Sequence, residues 1–206
     1  AVAFAKSAYS TFVEFSHNVT KVLSQIPEAG RAAFGEFSEI ALRLSREIGR
    51  SANEITDALR LAVSVGFSDV ADATEVARQA TRLATASFAD IQTTTEALTN
   101  VMNSYGVAGR DAGQVADLLK RGHELAGGEM NDFAHGLGMV AAAVHGVGGS
   151  MEDLVGITAL LSRSAAGSSR IFPEIQQLFM ELVVPGEKSA KTMAALGVSM
   201  AKDAKG

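Results

Sequence analysis

The run Ser51-Ala-Asn-Glu-Ile-Thr-Asp-Ala-Leu-Arg-Leu-Ala-Val-Ser-Val-Gly66 contains the signals of one complete helix. Ser51 stands three residues before Glu54, which is the spacing of a capping box, where each side chain accepts a hydrogen bond from the other residue's backbone amide. Gly66 ends the helix, because glycine readily adopts the left-handed backbone that commonly closes one. This run predicts a helix over residues 52–65 and sets the pattern for the chain that follows it.

Further short helices are predicted toward the C-terminus, each introduced by a small or acidic capping residue. Ser68 is the predicted N-cap of the next helix, Asp90 opens the one after it, and Ser150 with Asp153 repeats the capping-box spacing. The predicted helices cover residues 71–86, 90–105, 111–125, 130–147, 150–165, 172–183 and 188–196. Strand patterns are nearly absent, so the fold class predicted for the chain is all-α, a multi-helix bundle of short helices.

Toward the N-terminus the apolar residues recur at intervals of three and four, which is the periodicity of one helix face. One set precedes Pro27 and a second follows it out of phase, which predicts that the proline breaks or kinks the helix. We predict a homo-oligomer interface on this coiled-coil-like seam, at Phe12, Phe15, Val19, Val22, Ile26, Phe37, Leu44 and Ile48. An alternative stays open, in which the two amphipathic helices pack on neighbours within one chain.

The change of pattern near residue 49 predicts two parts. Residues 1–49 form an amphipathic helical segment suited to oligomerisation, and residues 50–206 form a helical domain of short, capped helices. Nothing in the first residues indicates a signal peptide. The start without Met and the Lys-Asp-Ala-Lys-Gly ending lead us to expect a piece of a longer protein.

The composition argues against several classes of function. The formal net charge is -5, so we expect no general attraction to phosphate backbones or acidic membranes, and no sequence-specific nucleic-acid binding. Cysteine is absent, which removes disulfides and thiolate chemistry. No apolar run reaches the roughly 18–20 residues that span a bilayer. Only 6% of the residues are aromatic and many of the hydrophobic ones are alanine, which suits close helix packing.

Catalytic and metal-binding patterns are also missing. His123-Glu124 lacks the second histidine four residues on that a zinc-binding helix needs, and His135 and His145 lie too far apart on one helix to share a metal ion. The remaining histidine, His17, is not part of any spacing typical of a metal-binding or catalytic site. Paired carboxylates such as Asp69 and Asp72 fit first helical turns, where negative charge complements the helix dipole. We therefore predict a protein that is not an enzyme, with no catalytic residue, no cofactor and no bound metal ion.

Two stretches contain short phrases in a distinctive order. The first runs from Ala62-Val-Ser-Val-Gly66 to Val101-Met-Asn-Ser-Tyr-Gly106. The second runs from Val115-Ala-Asp-Leu-Leu119 through His145-Gly-Val-Gly-Gly-Ser-Met-Glu-Asp-Leu154 to Thr158-Ala-Leu-Leu161, and Leu196-Gly-Val-Ser199 follows it. In order and spacing these phrases resemble the core region of phage tail tape measure proteins, and the resemblance covers residues 40–206.

The resemblance implies a structural protein of a bacteriophage virion. It implies a place in the tail lumen or tail tip, a role in setting tail length during viral tail assembly, and a part in genome ejection. The partners it implies are further copies of the chain (three or six), tail tube and tail-tip or baseplate proteins, and the host membrane on ejection. It brings no catalytic residues to this region.

The glycine breaks predict a compact folded piece instead of a rod, since 206 residues in one unbroken helix would measure about 310 Å. Alternatives from other classes stay open. A cell-wall-cleaving enzyme is one, because tape measure chains can carry such modules, but the sequence shows no paired catalytic acid, metal motif or nucleophile. Two more are non-enzymatic, and one of these is a non-viral helical scaffold protein. The other is a membrane-active, channel-forming segment, because the alanine- and glycine-rich helix over residues 130–147 would also suit close packing in a bilayer.

Overall fold

Capping residues and glycines divide the chain into successive helices. The structure is a computed structural model that describes residues 2–25 and 31–164, together with residues 177, 189, 191, 192 and 195. Its helices are α1 (Val2–Leu23), α2 (Arg31–Ile48), α3 (Ala52–Ser64), α4 (Val70–Ala86), α5 (Ile91–Tyr105), α6 (Ala112–Ala126), α7 (Met130–Gly146) and α8 (Met151–Ser164). A short 3-10 turn, Gly109–Asp111, precedes α6. The described residues contain no strand, and the all-α prediction is confirmed.

Both predicted capping boxes are present. The Oγ atom of Ser51 accepts a hydrogen bond from the amide of Glu54 at 3.2 Å, and the Glu54 carboxylate accepts one from the amide of Ser51 at 2.9 Å. Ser150 and Asp153 make the same two contacts at 3.1 and 2.9 Å. Gly106 ends α5 in the left-handed conformation, with φ of 66°. The boundaries of α3 to α8 agree with the predicted ones to within one residue.

The predicted cap of α4 was wrong by one residue. Asp69, and not Ser68, precedes the helix, and its Oδ1 atom accepts hydrogen bonds from the amides of Ala71 at 2.9 Å and Asp72 at 3.1 Å. The amide of Ser68 instead donates to the carbonyl of Gly66 in the turn after α3. Two good capping residues stand side by side here, and the length of the preceding turn decides which of them reaches the free amides.

Two other predictions fall partly outside the described residues. Helices α1 and α2 flank Pro27 as expected, although residues 26–30 themselves are not described. The predicted helices over residues 172–183 and 188–196 also lie outside the described part, apart from the single positions named above.

Hydrogen bonds between distant segments define the two ends of the bundle. At one end, the side-chain amide of Asn103 donates to the carbonyl of Val65, and the hydroxyl of Tyr105 donates to the carbonyl of Ser150, both at 3.0 Å. These bonds bring the ends of α3 and α5 to the start of α8. We call this the Tyr105 end. At the opposite end, the amide of Asp90 donates to Oδ1 of Asn131 at 2.9 Å and joins the α4–α5 turn to the start of α7. We call this the Asp90 end.

The core combines a few large side chains with many alanines and threonines. The largest fully buried side chains include Phe37, Leu44, Ile55, Leu59, Leu98, Met102, Leu119, Phe133, Leu137 and Leu154. Threonines are buried at seven described positions, and each donates its hydroxyl to the carbonyl four residues earlier: Thr56, Thr74, Thr81, Thr94, Thr95, Thr99 and Thr158. Because each of these hydroxyls is satisfied within its own helix, none of the seven threonines needs a polar partner across a helix interface. None of the described helices is both long enough and apolar enough to cross a bilayer.

Candidate interaction surfaces

The predicted interface residues of α1 form one stripe whose exposure rises toward the N-terminus. Val22 and Val19 are fully buried, Phe15 is 9% exposed and Phe12 is 65% exposed. Helix α1 packs on α2 and α3. It has 22 residues against 13 in α3, or about 33 Å of helix against about 20 Å. Helix α1 is therefore longer than α3, and Phe12 is the member of the stripe that is exposed.

The predicted interface residues of α2 face the chain's own core. Phe37 and Leu44 are buried, Ile48 packs against the core at partial exposure, and Ile26 lies outside the described residues. Helix α2 packs on α3 and α4, and both N-terminal helices contribute to the same hydrophobic cluster as α3 to α8. The buried members of the seam thus have partners within the chain. The oligomer interface, and the division of the chain near residue 49, remain predictions.

The Tyr105 end brings together phrases that lie far apart in the sequence. Besides the Tyr105–Ser150 hydrogen bond, the ring of Tyr105 packs edge-on against the ring of His145, with 4.7 Å between centroids. Asn103, two residues before Tyr105, bonds the carbonyl of Val65. The Met-Asn-Ser-Tyr-Gly phrase therefore ties the turn after α3 to the α7–α8 turn. Sequence reasoning identified these phrases but not their contact.

Two pKa values at this end follow from its geometry. Hydrogen bonds from the amide of Ser150, and then from its hydroxyl, lower the pKa of the Asp153 carboxyl. Burial raises the pKa of the Tyr105 hydroxyl, and the negative charges of Asp153 and Glu152 raise it further. The neutral hydroxyl of Tyr105 is the donor to the carbonyl of Ser150.

The four histidines lie apart from one another. His123 Nε2 lies 3.2 Å from the carbonyl of Gly128 at the end of α6, and the His123 ring lies 6.1 Å from the ring of Phe133. The ring of His145 packs edge-on against Tyr105, while His17 and His135 are exposed. Among the described residues, no group of three His, Cys, Asp or Glu side chains lies together in a way that could hold a metal ion.

Large apolar side chains are exposed at six described positions. They are Phe12, Val13, Leu42, Phe88, Leu125 and Leu160. Phe88 is the most exposed of these, at 97%, and it also has a positive φ of 52°. The sequence analysis assigned no role to Phe88. A signal was present, since a phenylalanine stands in this turn at a place where other turns of the chain have glycine.

A comparison with curated proteins finds a relative of this chain. The tape measure protein of Pneumococcus phage Dp-1 is 24% identical over 198 residues, which cover 96% of this chain and 17% of that relative. The chain therefore spans about a sixth of the length of this relative. No solved structure matches the chain.

A family profile matches most of the chain. The family described as "Phage-related minor tail protein" matches residues 38–206. The match begins within α2 and includes α3 to α8. This range agrees with the region where the short phrases resemble tape measure proteins. The chain belongs to the family of phage-related minor tail proteins.

Proposed function

We propose that this chain is a structural component of the tail lumen or tail tip, and that it takes part in setting tail length during assembly and in genome delivery. The observation that carries this proposal is the family match over residues 38–206, together with the likeness to the tape measure protein of phage Dp-1. The proposed partners are tail tube and tail-tip or baseplate proteins, with the host membrane as a further contact during ejection.

The geometry supports a compact folded region in the tail, which contributes less length to the measurement than an unbroken helix would. Turns after α3, α5, α6 and α7 reverse the chain, so that α5 packs on α7 and α6 packs on α8. A ruler gains about 1.5 Å of length for each residue only while its helix stays unbroken. Folding into a bundle gives up most of that length, so we assign this region to a folded body at a defined place on the tail axis.

The proposed assembly is a homo-oligomer of three or six copies, joined through α1. Its support is the apolar stripe that continues from the buried Val19 to Phe12, which is 65% exposed. Packing of Phe12 against the same stripe of a neighbouring copy would remove this ring from water and extend the seam that α2 and α3 cover over its C-terminal part.

A cryo-EM map of the purified particle tests the proposed location. We expect density for the α3–α8 bundle on the tail axis, within the tube or at the tip, with three-fold or six-fold symmetry. Density in which residues 52–164 form one extended helix would refute the proposal that this region is a compact folded bundle in the tail. Absence of this chain from purified tails would refute the structural role altogether.

The mass of the isolated chain in solution, measured by light scattering, tests the oligomer. We expect three or six times the chain mass of 21.4 kDa. Phe12→Glu should reduce this mass toward one copy without loss of helicity, because Phe12 makes little contact with its own chain. Val13→Glu is the matched control, since Val13 is also exposed (46%) but lies on a different side of α1. Equal effects of the two variants would argue against a seam at Phe12.

A further inference from the structure

Phe88 occupies a backbone conformation that a large side chain rarely adopts. The turn after α4 closes with a hydrogen bond from the amide of Ala89 to the carbonyl of Ala84 at 2.8 Å. This is the Schellman arrangement, which needs a left-handed residue just before the last donor, and Phe88 is that residue with φ of 52°. Three other helices close with the same bond, and the equivalent left-handed residues there are all glycines: Gly66, Gly106 and Gly148.

The strain at Phe88 is not compensated by packing. A left-handed residue with a Cβ atom is less stable than glycine in the same place, because the Cβ approaches the neighbouring carbonyl oxygen. Buried aromatic rings can offset such a cost, but the Phe88 ring is 97% exposed. The folded chain therefore keeps a residue that is unfavourable both for its backbone conformation and for its contact with water. Such outliers concentrate at functional sites.

The two turns at the Asp90 end carry carboxylates and no basic residue. The hydrogen bond between Asp90 and Asn131 joins the α4–α5 turn to the turn before α7. Residues 86–92 and 127–132 of these turns contain no Lys or Arg, and they carry Asp90, Glu129 and Asp132. All three carboxylates are exposed, and none forms an ion pair within the described part of the chain. Two such ends placed face to face would repel each other, which disfavours a second copy as the occupant.

We infer that the Asp90 end is a docking surface on which Phe88 inserts into an apolar pocket of a different protein, a pocket with Lys or Arg at its rim. The exposed ring supplies the large, rigid anchor typical of interface hot spots, and the carboxylates complement the basic rim. This inference rests on the proposed place in the tail, where the partner is another tail protein. It adds the residue that makes the contact and the chemistry of the surface that receives it.

The test compares two variants. Phe88→Gly is expected to raise stability and lower function, and Phe88→Tyr is its control. Phe88→Gly relieves the left-handed strain, so the melting temperature of the isolated chain should rise by roughly 2–8 °C. Phage carrying Phe88→Gly should nevertheless yield at least about tenfold fewer infectious particles, because the anchor is lost. Phe88→Tyr keeps the ring and should retain particle yield. A lower melting temperature for Phe88→Gly, or an unchanged particle yield, would overturn the inference.

A photo-crosslinker identifies the partner in the assembled particle. With p-benzoylphenylalanine at position 88, irradiation of purified tails should link the chain to a segment of another tail protein that contains apolar residues flanked by Lys or Arg. The same crosslinker at Ser64, exposed near the Tyr105 end, should not link to that segment. Links from position 88 to a second copy of this chain, or no link in tails that contain the chain, would overturn the inference alone. Tails without the chain would overturn the proposed function.

Discussion

Gly122 allows α6 to approach α7 and α8 closely, and its replacement by alanine should destabilise the fold. A Cβ atom at this position would lie 2.2 Å from Cγ1 of Val155 and 2.8 Å from Cζ of Phe133. Carbon atoms in contact are normally about 3.5–4.0 Å apart, so the first contact is too short by roughly 1.3 Å. Val155 is 4% exposed and Phe133 is 1% exposed, so neither side chain has open space to move into.

The expected change in the free energy of unfolding is the balance of two opposing effects. Overpacking a well-filled core costs about 1–3 kcal/mol, and a β-branched valine in a helix has few rotamers with which to relieve it. Replacing glycine by alanine within a helix returns up to about 1 kcal/mol. We therefore expect Gly122→Ala to lower the free energy of unfolding by up to about 2 kcal/mol. Gly156→Ala, on α8, is the matched control, because nothing lies within 4 Å of the added methyl group and the change should stabilise by about 0.5–1 kcal/mol.

Urea unfolding followed by circular dichroism measures both changes, and a double-mutant cycle assigns the cause. Val155→Ala alone should cost roughly 1–3 kcal/mol for the lost methyl groups. In the Gly122→Ala background it should cost at least about 1 kcal/mol less, because it removes the clashing Cγ1 atom and the new methyl fills part of the space. Equal stabilisation by Gly122→Ala and Gly156→Ala, or strict additivity in the cycle, would refute the close approach of α6 and α8.

Two further predictions concern helix starts. Asp69→Ala should lower the free energy of unfolding by about 1 kcal/mol through loss of the α4 cap, whereas Ser68→Ala should change it by less than about 0.5 kcal/mol. Comparison of the urea midpoints decides between them, and the reverse order would restore Ser68 as the cap. The carboxyl of Asp153 has a lowered pKa in the folded chain, so its ionised form stabilises the fold above the ordinary pKa of about 3.9, and this contribution is lost as the pH falls through the folded pKa. The stability deficit of Asp153→Asn should therefore be largest near neutral pH and shrink below pH of about 4, and a deficit independent of pH would contradict this origin.

Most of the secondary structure could be predicted from the sequence because its signals are local. A capping box such as that of Ser51 and Glu54 acts over three residues, and a glycine such as Gly106 acts at one position, so neighbouring residues suffice to locate a helix end. Asp111 and Glu129 precede α6 and α7 without a side-chain cap hydrogen bond, although each helix was predicted to begin at a capping residue. The wrong cap of α4, Ser68, lies where two capable residues are adjacent. Local chemistry does not rank them, because the choice depends on how the preceding turn leaves α3.

The candidate surfaces could be predicted only in part. The apolar stripe of α1 was visible as a periodicity, but periodicity does not tell whether a second helix of the same chain or another chain covers it. The structure covers Val19 and Val22 with the chain's own helices and leaves Phe12 exposed. Phe88 drew no prediction, because a phenylalanine in sequence usually indicates a buried position.

The helical class, the boundaries of α3 to α8 and the phrases that resemble phage tail proteins could all be identified from the sequence alone. The contacts between these features could be seen only in the folded structure. The bonds from Asn103 to Val65 and from Tyr105 to Ser150 join residues 38 and 45 positions apart. The physical reason is that capping and periodicity are properties of a few consecutive residues. Contact, exposure and strain at positions such as Gly122 and Phe88 exist only once the helices have packed.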